Sequence, residues 1–141
     1  MAAAKVIRAI ELLIRDNWKH CDIRGFDEPP ESAVPSDMGA FAEITFPVEP
    51  EEEQISFGAP GNNVFREVGG FHFCVFVPKY EYLPKWAEFI DDLRDELRNW
   101  RSTDGHMRVF ETPSPAINDR SDREGYRELS IAVPYEYDIF R

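Results

Sequence analysis

Val64-Phe65-Arg66-Glu67-Val68-Gly69-Gly70-Phe71-His72-Phe73-Cys74-Val75-Phe76-Val77 is the strongest β signal in the chain. Phe71, Phe73, Val75 and Val77 fall on one face, and His72, Cys74 and Phe76 fall on the other. Both faces are apolar enough to predict a central strand covered on both sides. Gly69-Gly70 is compatible with a bulge, a bend or a tight turn. A second long run closes the chain. Leu129, Ile131, Val133, Tyr135, Tyr137 and Ile139 alternate with Glu128, Ser130, Ala132, Pro134, Glu136 and Asp138. One face is apolar and one is wet, as in an antiparallel sheet. Pro134 cannot donate to a ladder, which marks an edge or a bulge.

Between and before these strands lie two helical patterns. In residues 2 to about 18, Val6, Ile10, Leu13 and Ile14 form a stripe widened by Ile7 and Trp18, with Lys5, Arg8, Glu11 and Arg15 opposite. That is the pattern of a helix packing on a sheet. Pro84 opens the second helix, where its missing N–H costs nothing. Leu83, Trp86, Ile90, Leu93, Leu97 and Trp100 then recur at helical spacing, and Asp104-Gly105 is the expected stop. Shorter strands are expected at 41–46, 54–57 and 107–110. The run Pro47-Val48-Glu49-Pro50-Glu51-Glu52-Glu53 reads as an exposed connection, because clustered like charges resist pairing. Residues 21–40 and 111–125 read as long polar loops. The order helix, strands, helix, strands predicts one α+β domain over 1–141, a mostly antiparallel sheet with both helices on one face.

Lys and Arg number 16 and Asp and Glu 27, for a formal charge of −11. That balance disfavours tight binding to a phosphate backbone and docking on an anionic membrane. No apolar run approaches a membrane span, and the charged N-terminal helix does not read as a signal peptide. Cys21 and Cys74 are too few for a disulfide framework, and the simpler reading is a reduced, cytoplasmic chain.

Catalytic chemistry finds little footing. His72 and Cys74, two apart on one strand face, have Cα atoms roughly 6.6 Å apart, which makes a poor nucleophile–base pair. His20, Cys21, His72 and Cys74 lack the spacing of a zinc site. Glu49 to Glu53 lacks the Asp/Asn/Gly pattern of a calcium loop, and Gly58-Ala59-Pro60-Gly61 lacks the Lys of a phosphate loop. The expectation is a non-enzyme without cofactor or metal.

Four segments in order are similar to the tail terminator-like proteins of long-tailed phages and related particles. They are the N-terminal amphipathic helix; Arg66, Gly69 and Gly70 leading into Phe71-His72-Phe73-Cys74-Val75-Phe76-Val77-Pro78; Trp86-Ala87-Glu88-Phe89-Ile90-Asp91-Asp92-Leu93; and Ile131-Ala132-Val133-Pro134-Tyr135-Glu136-Tyr137-Asp138. The resemblance implies a hexameric ring on the head-proximal end of a tail tube. Such a ring ends tube growth and joins a head-completion or connector protein, in a particle assembled in the bacterial cytoplasm. Arg66, Gly69, Gly70, Tyr80, Tyr82, Arg120 and Arg123 are candidates for subunit or partner contacts, although Lys79-Tyr80-Glu81-Tyr82 stands where members of that family often have glycines. Glu49, Glu51, Glu52 and Glu53 are candidates to line a channel through which DNA passes without specific binding. The alternatives are a neck connector of the same particle and an acidic, DNA-mimicking inhibitor of a nucleic-acid enzyme.

Overall fold

The structure is a computed structural model that describes residues 4–24, 39–46, 49–61, 63–118 and 125–141. Its axis is one hairpin-like pair of long strands, β4 (Val64–Pro78) and β7 (Tyr126–Phe140). They pair antiparallel over their whole length, from Val64↔Phe140 to Pro78↔Tyr126. On the far edge of β4, β2 (Phe41–Thr45) and β3 (Glu51–Gln54) pair with different halves of the strand. On the far edge of β7, β5 (Met107–Val109) and β6 (Ala116–Asn118) do the same. β1 (Asp22–Arg24) pairs parallel with β2 and completes a sheet of seven strands among the described residues.

Helices α1 (Ala4–Asn17) and α2 (Leu83–Leu97) pack on the same side of this sheet. The expected α+β architecture is therefore the observed one. Val6, Ile10, Leu13 and Ile14 of α1 and Trp86, Ile90, Leu93 and Leu97 of α2 are buried against Phe71, Phe73, Val75 and Val77 of β4 and the alternating apolar residues of β7. Trp18 sits where these elements meet. Its ring lies edge-on to Phe73 at 5.0 Å, with Trp86 at 6.5 Å.

Several local expectations need correction. Gly69-Gly70 makes neither turn nor bulge, for β4 runs through both residues in unbroken register with Tyr135 and Pro134. The acidic run is no free connection: Glu51, Glu52 and Glu53 are strand β3. Their charges are tolerated because it is a short outer strand, with Glu53 opposite Arg66 and Glu52 3.3 Å from the Arg141 guanidinium. Of the expected strand 54–57 only Gln54 belongs to β3, although Ile55 still donates its N–H to the Val64 carbonyl. Helix α2 ends at Leu97, before Asp104-Gly105, because Asn99 adopts φ 55, a left-handed conformation that asparagine tolerates. Asp104-Gly105 instead turns the chain into β5, with Gly105 at φ 76. Both expected loops contain a strand, β1 in the first and β6 in the second. Residues 25–38 and 119–124 of these loops lie outside the described residues.

The expectation that β4 is covered on both sides holds for one half only. Cys74 and Phe76 are buried on the face away from the helices, in a small cluster with Phe41 and Tyr126. Phe41 stacks on Phe76 at 4.9 Å, and the Tyr126 hydroxyl donates to the Gly39 carbonyl. Towards the start of β4 that face opens, and Val68 is half-exposed.

Candidate interaction surface

The flanking strands leave the sheet narrow at its middle. β3 pairs with β4 up to Val68 and β2 resumes at His72, so among the described residues Gly69, Gly70 and Phe71 have no ladder partner on that side. On β7, pairing with β6 stops at Ser130 and pairing with β5 starts at Tyr135. Pro134 falls in this second gap. Its carbonyl accepts from the Phe110 N–H at 3.0 Å, and its own missing donor faces the space where no strand is paired. A proline is thus accommodated in the interior of a strand of fifteen residues.

On the face away from the helices this narrow middle is a groove of about 430 Å³. Gly70, Ala132 and Pro134 form its floor, Glu49, Glu51 and Val68 stand on one side, and Pro113 on the other. The small floor residues make it a depression rather than a ridge. On the helix side of the same strands, the added Cβ of any residue replacing Gly69 would lie 2.9 Å from the Tyr135 hydroxyl and 3.1 Å from Pro50. Gly69 is therefore required by the close approach of Tyr135, whose ring crosses it to donate to the buried Glu67 carboxylate at 2.7 Å. Burial, and then the bond to Glu67, raise the Tyr135 pKa above the usual phenol range.

Beside the groove, the outer face carries a compact ionic network. The Arg66 Nε lies 2.8 Å from Asp138 Oδ1 and 2.6 Å from Glu136 Oε1. Arg108 contacts the same two carboxylates from β5. The bond from Arg66, with further help from Arg108, holds the Asp138 carboxyl below its ordinary pKa despite partial burial. Two guanidiniums and two carboxylates leave this network close to neutral. Further along, Ile55, Val64 and Phe140 stand abreast on the outer face, and Ile55 and Phe140 are exposed.

The sequence-predicted interface residues do not form one site. Arg66 and Gly70 share the outer face without meeting, Arg66 in the ionic network and Gly70 in the groove, while Gly69 serves the helix side. Tyr80 and Tyr82 are exposed on the β4–α2 connection, past the end of β4 that lies eight residues beyond Gly70. Arg120 and Arg123 lie outside the described residues. The acidic candidates also divide. Glu49 and Glu51 border the groove and Glu53 faces Arg66, whereas strand alternation turns Glu52 to the opposite face. Sequence reasoning missed Arg108, Glu136 and Asp138 as partners of Arg66, because their pairing depends on register. It also missed the Glu67–Tyr135 pair, although Glu67 has the parity of Phe71 and Phe73, and a carboxylate on an apolar face is itself a signal.

The reactive residue types are kept apart. His20 stacks on Phe89 at 3.8 Å on the helix side, and the Trp18 Nε1–H points at the Cys21 sulfur at 3.3 Å. His72 and Cys74 are on the other face of the sheet. Burial pushes the Cys21 thiol up to about 11 and the Cys74 thiol up to about 12. Among the described residues no group of three or more His, Cys, Asp and Glu side chains is arranged to hold a metal ion, and no helix is long and apolar enough to cross a membrane. No protein-family model matches the chain, and no curated protein matches it.

Proposed function

We propose that the chain is a structural assembly protein of a phage-like tail. In this reading it forms a homo-oligomeric, hexameric ring on the head-proximal end of the tail tube, in the tail or neck of the particle. The ring ends tube growth and presents a surface to a head-completion or connector protein, and DNA passes through it without specific binding. The reading involves no catalysis, no cofactor and no membrane.

The observation that carries the proposal is the arrangement of the four segments that resemble tail terminators. They are α1, β4, α2 and β7, and these elements supply most of the hydrophobic core. The match therefore runs along the framework of the fold rather than along its connections. A supporting feature is the outer sheet face, which leaves an apolar groove and the Ile55–Phe140 row uncovered in the single chain. Exposed apolar ground of this kind commonly marks an association surface.

The DNA-mimic alternative is less favoured. A mimic needs carboxylates ranked along one surface, and β3 sends Glu52 to one face and Glu51 and Glu53 to the other.

The test is assembly. Purified chain, alone and mixed with the tail tube protein of its particle, is followed by light scattering and negative-stain microscopy. Rings, or tubes capped at one end, are expected. A chain that stays monomeric with its own tube protein would sink the terminator reading, and rings located at the neck away from the tube would favour the connector.

A further inference from the structure

Charge is unevenly divided between the two sides of the sheet. On the outer face Arg66 and Arg108 are engaged by Glu136 and Asp138. Glu49 and Glu51, beside the groove, are left without a cationic partner among the described residues. The N-terminal half of the outward surface of α1 is the converse, with the exposed acidic Asp16 on the same face one turn beyond Leu12. Arg15 is tied to Glu11 at 3.0 Å, while Lys5 and Arg8 have no anionic partner among the described residues. On the same surface stands Leu12, 62% exposed, although its neighbours Leu13 and Ile14 are buried. Positions 5, 8 and 12 share one helical face. The acidic edge of the apolar groove, whose lining also includes His72, and the basic first half of this helix face with its apolar knob are complementary in both charge and hydrophobicity.

We infer that the Lys5–Arg8–Leu12 face of α1 in one copy docks into the Gly70–Ala132–Pro134 groove of a second copy. Leu12 lies on the groove floor, and Lys5 and Arg8 reach Glu49 and Glu51. The groove is larger than one leucine side chain, so part of the helix flank enters with it. The floor is built of small residues, which lets a helix approach closely. The two patches lie on opposite sides of the same sheet, so each copy offers its groove to one neighbour and its helix to the other. Such a contact is heterologous; repeated contacts of this kind give a ring where the rotation between copies closes and an open filament where it does not, and the ring reading requires the first. The inference rests on the ring reading and specifies its subunit interface.

Charge reversal tests it. Lys5→Glu with Arg8→Glu reverses the helix, and Glu49→Lys with Glu51→Lys reverses the groove. All four positions are exposed, so circular dichroism and thermal melts should match wild type. Ring formation by each reversed chain alone should weaken about tenfold or more. An equimolar mixture should restore it. In an alternating ring every reversed groove meets a reversed helix, and every native groove meets a native helix. The chain carrying all four substitutions should assemble as well. In wild-type rings made from isotopically light and heavy copies, a zero-length carbodiimide should join Lys5 of one copy to Glu49 or Glu51 of another. Rings undiminished by either reversal, or weakened without rescue on mixing, would overturn this interface while leaving the ring itself intact. Wild-type chains that form no ring even on tube ends would remove the ring reading and this interface with it.

Discussion

Replacing Gly69 with alanine is the sharpest probe of the middle of the sheet. The added methyl group would lie 2.9 Å from the Tyr135 hydroxyl and 3.1 Å from both the ring carbon beside it and Pro50. These distances are inside normal contact, so the tyrosine must move. Moving it lengthens or breaks the 2.7 Å bond to Glu67 in a buried setting. Overpacking costs about 1–3 kcal/mol, and losing a hydrogen bond to a charged acceptor costs about 1.5–3 kcal/mol. Part of each is relieved by the other, so about 2–5 kcal/mol is expected in total. At about 4 °C per kcal/mol for a domain of this size, the melting temperature should fall by about 8–20 °C. Gly70→Ala is the control. Its nearest atom is the Val133 carbonyl oxygen at 3.4 Å, an ordinary contact, and its stability should stay within about 1 kcal/mol of wild type. Tyr135→Phe closes the cycle. It removes the atom nearest the new methyl group, so Gly69→Ala should cost at least about 1 kcal/mol less in that background. Urea and thermal melts of the four chains measure all of this. A Gly69→Ala protein as stable as wild type, or a penalty unchanged by Tyr135→Phe, would refute the account of Tyr135 crossing Gly69.

Two other predictions concern titration. The Asp138 carboxyl is held below its ordinary pKa by Arg66 and Arg108. Its contribution to stability is therefore present above the unfolded value of about 4 and is lost as pH falls through the lower folded value. Asp138→Asn should flatten the acid side of a plot of urea midpoint against pH and change its shape little above neutrality. For the thiols, burial raises Cys21 to about 11 and Cys74 to about 12. A thiol reagent at mildly alkaline pH should label the native protein slowly, Cys21 before the more buried Cys74. Both should react promptly in denaturant, and rapid stoichiometric labelling of native Cys74 would contradict the burial described.

The framework was legible because its signals repeat. Val6, Ile10 and Leu13 at helical spacing, and Leu129 to Ile139 at alternate positions, each supply several agreeing observations, and packing then follows the pattern. The short elements carry no such redundancy. β3 is three glutamates and a glutamine, and local charge repulsion argues against a strand there. It forms because β4 offers an open edge and Arg66 and Arg141 supply opposite charges, both decided far away in sequence. Gly69-Gly70 misled for a related reason. Locally, two glycines suggest a turn or a bulge. In the fold the first makes room for a tyrosine 66 positions later, with which it is paired. The groove was invisible for the same reason, since it arises where four short strands stop.

The two faces of the sheet divide the work of the chain. The helix side is closed over its centre: the apolar residues of β4 and β7 there lie in the core, and its one buried carboxylate on β4, Glu67, is held by a tyrosine. That side sets stability, and changes there should appear in melting curves. The outer face is closed only where Phe41, Phe76 and Tyr126 meet. Elsewhere it presents a balanced ionic network beside an acidic-edged groove, with small residues where a core would demand large ones. Filling that groove should therefore cost little in folding and much in association. Ala132→Trp illustrates the difference. Ala132 is exposed on the outer face, so the indole projects outward instead of into the packed side, and the melting temperature should change by only a few degrees. If a neighbouring copy's helix occupies the groove, the same substitution should abolish ring formation. A tryptophan there that leaves assembly untouched would mean that this face looks to solvent in the assembled state, and that the subunits meet through other ground.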